Sequence, residues 1–151
     1  MTKFKRMFSN VIWLSAGIVI GGFLFSKTQP RSFLAVKNCQ YCTNPSDFAG
    51  LVASVGMQKF SGLIPGRVLE TDKVLVIRHP LAKKRFHFVI IPKKDIKDAS
   101  DISEEDAAYL MEVYRVARML IKEHHMVDYR FYTNGPGHQT VTYLHFHLIS
   151  D

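Results

Sequence analysis

A chain of 151 residues with 47% hydrophobic side chains is long enough for one domain with a buried core. Its formal net charge of +7 would suit a nucleic-acid binder, yet Lys3, Lys5, Arg6, Lys27, Arg31 and Lys37 all sit in residues 1–37, where no acid occurs. The remainder is close to neutral and shows no basic stripe, so no nucleic-acid partner is expected, and Lys83-Lys84-Arg85 reads as a solvated turn.

Met7 to Ser26 is a run of 20 uncharged residues rich in Ile, Val, Leu, Phe and Gly. At about 1.5 Å of rise per residue, about 20 residues span a bilayer core, so a single transmembrane helix is expected, with the membrane contacted through residues 7–26. A cleavable signal peptide should show a small-x-small site after Phe25, and none is evident. No Cys follows at once, which argues against a lipoprotein. Gly17 and Gly21 have the small-xxx-small spacing of packed membrane helices, which chance explains as often. Three basic residues lie on each side of the run; the free amino terminus tips the orientation slightly toward a cytoplasmic N-terminus. The chain therefore divides into an anchor (residues 1–27), a linker with a Cys-x-x-Cys and a short helix (28–64), and a folded domain (65–151).

Cys39-Gln40-Tyr41-Cys42 is not a haem attachment, because Thr43 stands where His is required. Zinc, free thiols and a disulfide stay open for Cys39 and Cys42. Asn44-Pro45-Ser46-Asp47 offers a helix start, with a short helix over 48–55. Residues 67–70 and 73–78 read as paired strands around Thr71-Asp72, and 86–91 as an apolar strand ended by Pro92. Ser103 is a good N-cap, and Glu104, Glu105 and Asp106 suit the positive end of a helix dipole. The helix is expected to run to about His124, with Leu110, Met111, Val113, Tyr114, Val116, Ala117, Leu120 and Ile121 on its core stripe. His124 and His125 suit its C-terminus. Residues 128–133 and 142–150 complete the strands. The order β-β-β-α-β-β predicts an α+β domain, an antiparallel sheet of about five strands with one long helix packed on it.

The last segment carries the chemistry. Side chains alternate across a strand, so Leu144, Phe146 and Leu148 share a core face while Tyr143, His145 and His147 share the other. Upstream, Asn134-Gly135-Pro136-Gly137 has loop composition, with backbone N–H groups free to meet an anion. Imidazoles aimed at such a loop point to chemistry on a phosphate.

The stretch Asn134-Gly-Pro-Gly-His-Gln139-Thr-Val-Thr-Tyr143-Leu-His145-Phe-His147-Leu-Ile resembles the signature of the histidine triad (HIT) superfamily of nucleotide hydrolases and transferases. Val68–Val76, His87–Lys94 and Ile102–Asp106 resemble its other segments, in the same order. The resemblance implies a HIT-like domain that attacks an α-phosphate of a nucleotide through a nucleotidyl-histidine intermediate, on phosphoramidate or phosphoanhydride bonds. His145 takes the nucleophile position, and a backbone carbonyl near the first triad position would hold its other nitrogen. His147 would donate to the phosphate, and Asn134, Gln139 and Thr140 match positions lining the phosphate. It also implies a homodimer and no cofactor. Some zinc-binding relatives use a similarly placed Cys pair with two His; here Tyr143 replaces one of them, and His87 or Asp95 would have to supply the other ligand. Other departures are Asp95, where a His often stands, and the lack of a ribose-holding acid around His79-Pro80. His138 is expected to face solvent and His87 to orient a strand end. Two alternatives accompany this reading: a pyrophosphatase of lipid-linked nucleotides, like the membrane-tethered hydrolases of CDP-diacylglycerol, and a degenerate, non-catalytic nucleotide-binding module.

Overall fold

The computed structural model describes residues 2–31 and 44–151. Helix α1 (Thr2–Phe25) is followed by α2 (Pro45–Lys59), then strands β1 (Arg67–Glu70), β2 (Val74–Arg78) and β3 (Phe86–Pro92). Helix α3 (Ala107–Glu123) comes next, and β4 (Tyr129–Thr133) and β5 (Phe146–Ser150) close the domain. The sheet has the order β1-β2-β3-β5-β4, with every neighbouring pair antiparallel. The expected α+β architecture of five antiparallel strands and a long helix is thus present.

Within α1, none of the apolar stretch Arg6–Phe25 is buried. By length and composition this helix can cross a membrane. Its exit touches α2: the Lys59 ammonium lies 4.0 Å from the Phe23 ring centroid, and Gln58 Nε2 donates to the Lys27 carbonyl at 3.1 Å.

Helix α3 begins where local chemistry fixes it. Ser103 and Asp106 form a reciprocal capping box around a short 3-10 turn, and the α-helix starts at Ala107. Val113, Val116, Ala117 and Leu120 enter the core against Val74, Val76, Phe88, Ile90, Phe146 and Leu148, with Leu110 and Ile121 at its margin. Met111 and Tyr114, expected on the same stripe, are instead exposed, because only the sheet-facing side of the helix is covered. Each large aliphatic side chain fully buried there contributes about 1.5–3 kcal/mol. Helix α2 is longer than the sequence predicts. Asn44 caps it by accepting from the Asp47 N–H at 3.3 Å, Pro45 fits the first turn, and the helix continues to Lys59. Its Met57 covers part of the opposite sheet face, packing with Leu75 and Tyr143.

The last strand is shorter than expected. The ladder runs only from Phe146, not from Thr142. The backbone before it is committed elsewhere: the Thr142 N–H donates to the Ser46 carbonyl at 3.1 Å and the Leu144 N–H to the Ile96 carbonyl at 2.7 Å. Distant partners outside the sheet therefore hold residues 142–144, and the signature turns into the sheet at His145.

Candidate active site

Helix α3 covers one sheet face and α2 only part of the other, which leaves room for a site beside β3, β5 and β4. On β5, Phe146 and Leu148 point to α3, which sends His147 to the opposite face. Its cross-strand partners are Val89 of β3 and Tyr132 of β4. The Tyr132 ring stacks on it at 5.2 Å between centroids, and the His145 ring stands edge-on at 5.1 Å. The two triad imidazoles are thus brought together.

His145 is held on both sides. Its Nδ1 lies 2.7 Å from the Tyr143 carbonyl oxygen. A carbonyl only accepts, so Nδ1 carries the proton, and in the neutral ring Nε2 keeps a free lone pair. The backbone partner expected for the nucleophile is therefore present. Its own carbonyl accepts from Thr133 Oγ1 at 2.7 Å, which ties it to the end of β4.

His87 does more than orient a strand end. Its Nε2 lies 3.0 Å from His147 Nδ1, and the two nitrogens share one proton. His79, just beyond β2, stacks flat on His87 at 4.2 Å with 7° between planes. Its Nδ1 accepts from the Leu81 N–H at 3.2 Å. Burial, then the neighbouring His145, His87 and His79, depress the pKa of His147 to about 4. Burial, then His79, lowers that of His87. Both rings are therefore neutral at pH 7. His147 Nε2–H can donate to a ligand only when Nδ1 accepts, which requires the shared proton to sit on His87 Nε2.

Tyr143, at the first triad position, is 2% exposed and does not face the imidazoles as a titrating group. Its hydroxyl sits 2.9 Å from the Pro92 carbonyl and 3.0 Å from that of Lys94, donating between them. Burial, then the Asp95 carboxylate, pushes its pKa far above the normal phenol range. It is a strut whose carbonyl, not its side chain, serves the site.

Asn134 follows β4 directly and is half-buried, and Thr140 is exposed in the loop before β5. Neither makes a side-chain hydrogen bond to an imidazole among the described residues. Gln139 is 8% exposed, and neither amide atom has a partner among the described residues. An unpartnered buried polar group costs about 1–3 kcal/mol, a cost that a polar partner at this amide would relieve. His138 is exposed, as expected. Cys39 and Cys42 lie outside the described residues. Asp95 is already engaged, by the Arg31 guanidinium, Ser54 Oγ and the Gln29 N–H.

Sequence reasoning missed His79, His87, Tyr132 and Thr133 as site residues. One signal was available for His87: Phe86 and Phe88 flank it as core residues, which places it on the face opposite α3, the face of His147. The register that makes the rings meet is set by strand pairing alone.

A five-stranded antiparallel sheet with a histidine cluster on the face opposite its long helix is the arrangement of a histidine triad fold. Residues 59–151 match the family described as "Scavenger mRNA decapping enzyme C-term binding". A HIT-like protein of Chlamydia pneumoniae is 31% identical over 100 residues, covering 64% of this chain and 91% of the relative. The solved HIT family hydrolase of Clostridium thermocellum is 26% identical, with a TM-score of 0.58 over 64% of this chain and 89% of that one. That of Legionella pneumophila is 28% identical, with a TM-score of 0.57 over 62% and 88%. The chain belongs to this family, within the HIT superfamily. Its solved neighbours are HIT family hydrolases, and at that level the chain is hydrolase-like.

Proposed function

We propose that this chain is a membrane-tethered hydrolase of nucleoside monophosphate derivatives, cleaving the phosphoramidate or phosphoanhydride bond at the α-phosphate. The observation that carries the reading is the hydrogen bond from His145 Nδ1 to the Tyr143 carbonyl, 2.7 Å, which leaves Nε2 as a directed lone pair. Nε2 attacks phosphorus, and the bond to the leaving group breaks with its electron pair, which takes a proton from solvent at the exposed loop. His147 Nε2–H, backed by His87, donates to a non-bridging oxygen as charge develops there. Water then attacks the nucleotidyl-His145, releasing the nucleotide, the free imidazole and a proton. Gln139, with Asn134 and Thr140, holds the phosphate. These steps use side chains and water only.

The chain is proposed to act as a homodimer. Exposed Met111 and Tyr114 on α3 and exposed Tyr129 on the edge strand β4 support that arrangement. The test is the purified full chain in detergent with adenosine 5′-phosphoramidate, beside His145→Ala. Turnover by the wild type and none by the variant is expected. Binding of AMP with no turnover by the wild type would leave a nucleotide-binding module instead.

One observation favours a second reading, a lipid-linked nucleotide as substrate. The α1 exit is held against α2 by Lys59 and Gln58, which keeps the domain beside the end of the apolar helix. Hydrolysis of CDP-diacylglycerol in liposomes, with little on the soluble phosphoramidate, would establish it.

A further inference from the structure

We propose that Arg31 is a positioning residue for His145, so that the segment following α1 is part of the catalytic unit rather than a passive tether. This rests on the reading of His145 as nucleophile.

The Arg31 side chain is 1% exposed, as is that of Asp95 with which it pairs. Its guanidinium makes a fork on Asp95, with Nη1 donating to Oδ2 at 2.7 Å and Nη2 to Oδ1. Its other side grips one backbone oxygen: Nε and Nη2 both donate to the Thr142 carbonyl, at 3.1 and 2.9 Å. That carbonyl is half of the Thr142–Tyr143 peptide. The same residue's N–H is tied to Ser46, and the Tyr143 hydroxyl to Pro92 and Lys94. The next carbonyl, of Tyr143, is the acceptor that fixes the His145 ring. Arg31 thus sets the peptide plane one residue before the group that selects the tautomer of the nucleophile.

Two further observations place this contact by design of the fold. At Gly50 of α2 an added Cβ would overlap the Thr142 carbonyl oxygen and sit 2.9 Å from Arg31 Nε, so the helix approaches this peptide as closely as a glycine permits. Gln29 adds its own N–H to Asp95 Oδ2 and its Nε2 to the Asp95 carbonyl, both at 2.8 Å. The chain leaving α1 at Phe25 is therefore locked to the signature within six residues.

A planar fork does what an ammonium cannot, since Lys keeps the charge opposite Asp95 but lacks the second set of donors for Thr142. Arg31→Lys in the full chain therefore separates charge from positioning. Two readings are taken in detergent micelles. The first is the ring tautomer of His145 from long-range nitrogen–proton spectra, assigned by difference from His145→Gln. The second is kcat and KM for adenosine 5′-phosphoramidate. Expected are a wild type in the Nδ1–H form, a variant with mixed tautomers, and a kcat lower by roughly tenfold to a hundredfold at unchanged KM. If Arg31→Lys fails to fold, Arg31→Met with Asp95→Asn removes both charges together and the same readings apply. Wild-type tautomer and wild-type kcat in a folded variant would overturn the proposal. A wild type that turns nothing over defeats the hydrolase reading alone, because the tautomer measurement still decides the role of Arg31.

Discussion

Replacing Tyr143 by Phe removes one hydroxyl and nothing else. In the folded protein that hydroxyl donates between the carbonyls of Pro92 and Lys94 from a side chain that is 2% exposed. A typical intramolecular hydrogen bond contributes about 0.5–1.5 kcal/mol, and acceptors left unpaired in a buried site cost about 1–3 kcal/mol. Because both carbonyls lose their partner and the ring stays in place, the loss should be about 1–3 kcal/mol. In a domain of this size that lowers Tm by roughly 3–10 °C. Catalysis should hardly change, because His145 Nδ1 donates to the backbone carbonyl of Tyr143, which Phe retains. Thermal unfolding followed by circular dichroism, with steady-state turnover of adenosine 5′-phosphoramidate at a temperature where both proteins are folded, checks both halves. A kcat down by about a hundredfold at unchanged Tm would show the hydroxyl to be part of the chemistry, and the account of Tyr143 as a strut would be wrong.

Three other outcomes are expected. The His147 imidazole titrates near 6.5 when unfolded and at about 4 when folded, so between those values the unfolded chain binds more protons and stability falls as pH drops from 6.5 to 4. The full loss is of order 3 kcal/mol, and His147→Phe should flatten this part of the pH dependence of urea unfolding; an unchanged slope would contradict the buried neutral ring. Gly50→Ala should destabilise by about 1–3 kcal/mol because its Cβ overlaps the Thr142 carbonyl. Gly56→Ala, in the same helix with nothing within 4 Å, should gain about 0.4–1 kcal/mol; equal effects on Tm would refute the close packing of α2. Gln139→Leu should leave stability level or raise it by about 1 kcal/mol, since its buried amide has no partner among the described residues, while weakening AMP binding in calorimetry. Unaltered AMP affinity would remove Gln139 from the site.

What was readable in the chain follows the range of the forces involved. The α3 start was legible because Ser103 and the acids after it act within four residues, and most of its stripe because a helix buries every third or fourth position, though Met111 and Tyr114 fell outside the buried face. The strands before α3 were legible from apolar runs and Pro92. The start of β5 was not, because Ser46 and Ile96, far away in sequence, capture the backbone of Thr142 and Leu144. His145 and His147 were visible from spacing and resemblance together. His87 and His79 join them only through the register of β3 against β5 and the turn after β2, which no local pattern specifies. Arg31 was counted among the cations around the apolar run; only the fold shows that it is buried against Asp95.

The central claim is that His145 Nε2 is the nucleophile. Its most direct test is to mix the full chain in detergent with excess adenosine 5′-phosphoramidate, quench within one turnover, and map the modified peptide by mass spectrometry under conditions that preserve phosphoramidates. One adenylyl group on His145, forming before AMP is released and absent from His145→Ala, is the predicted result. AMP produced with no adduct on His145 at any time, or an adduct on another residue, would contradict it.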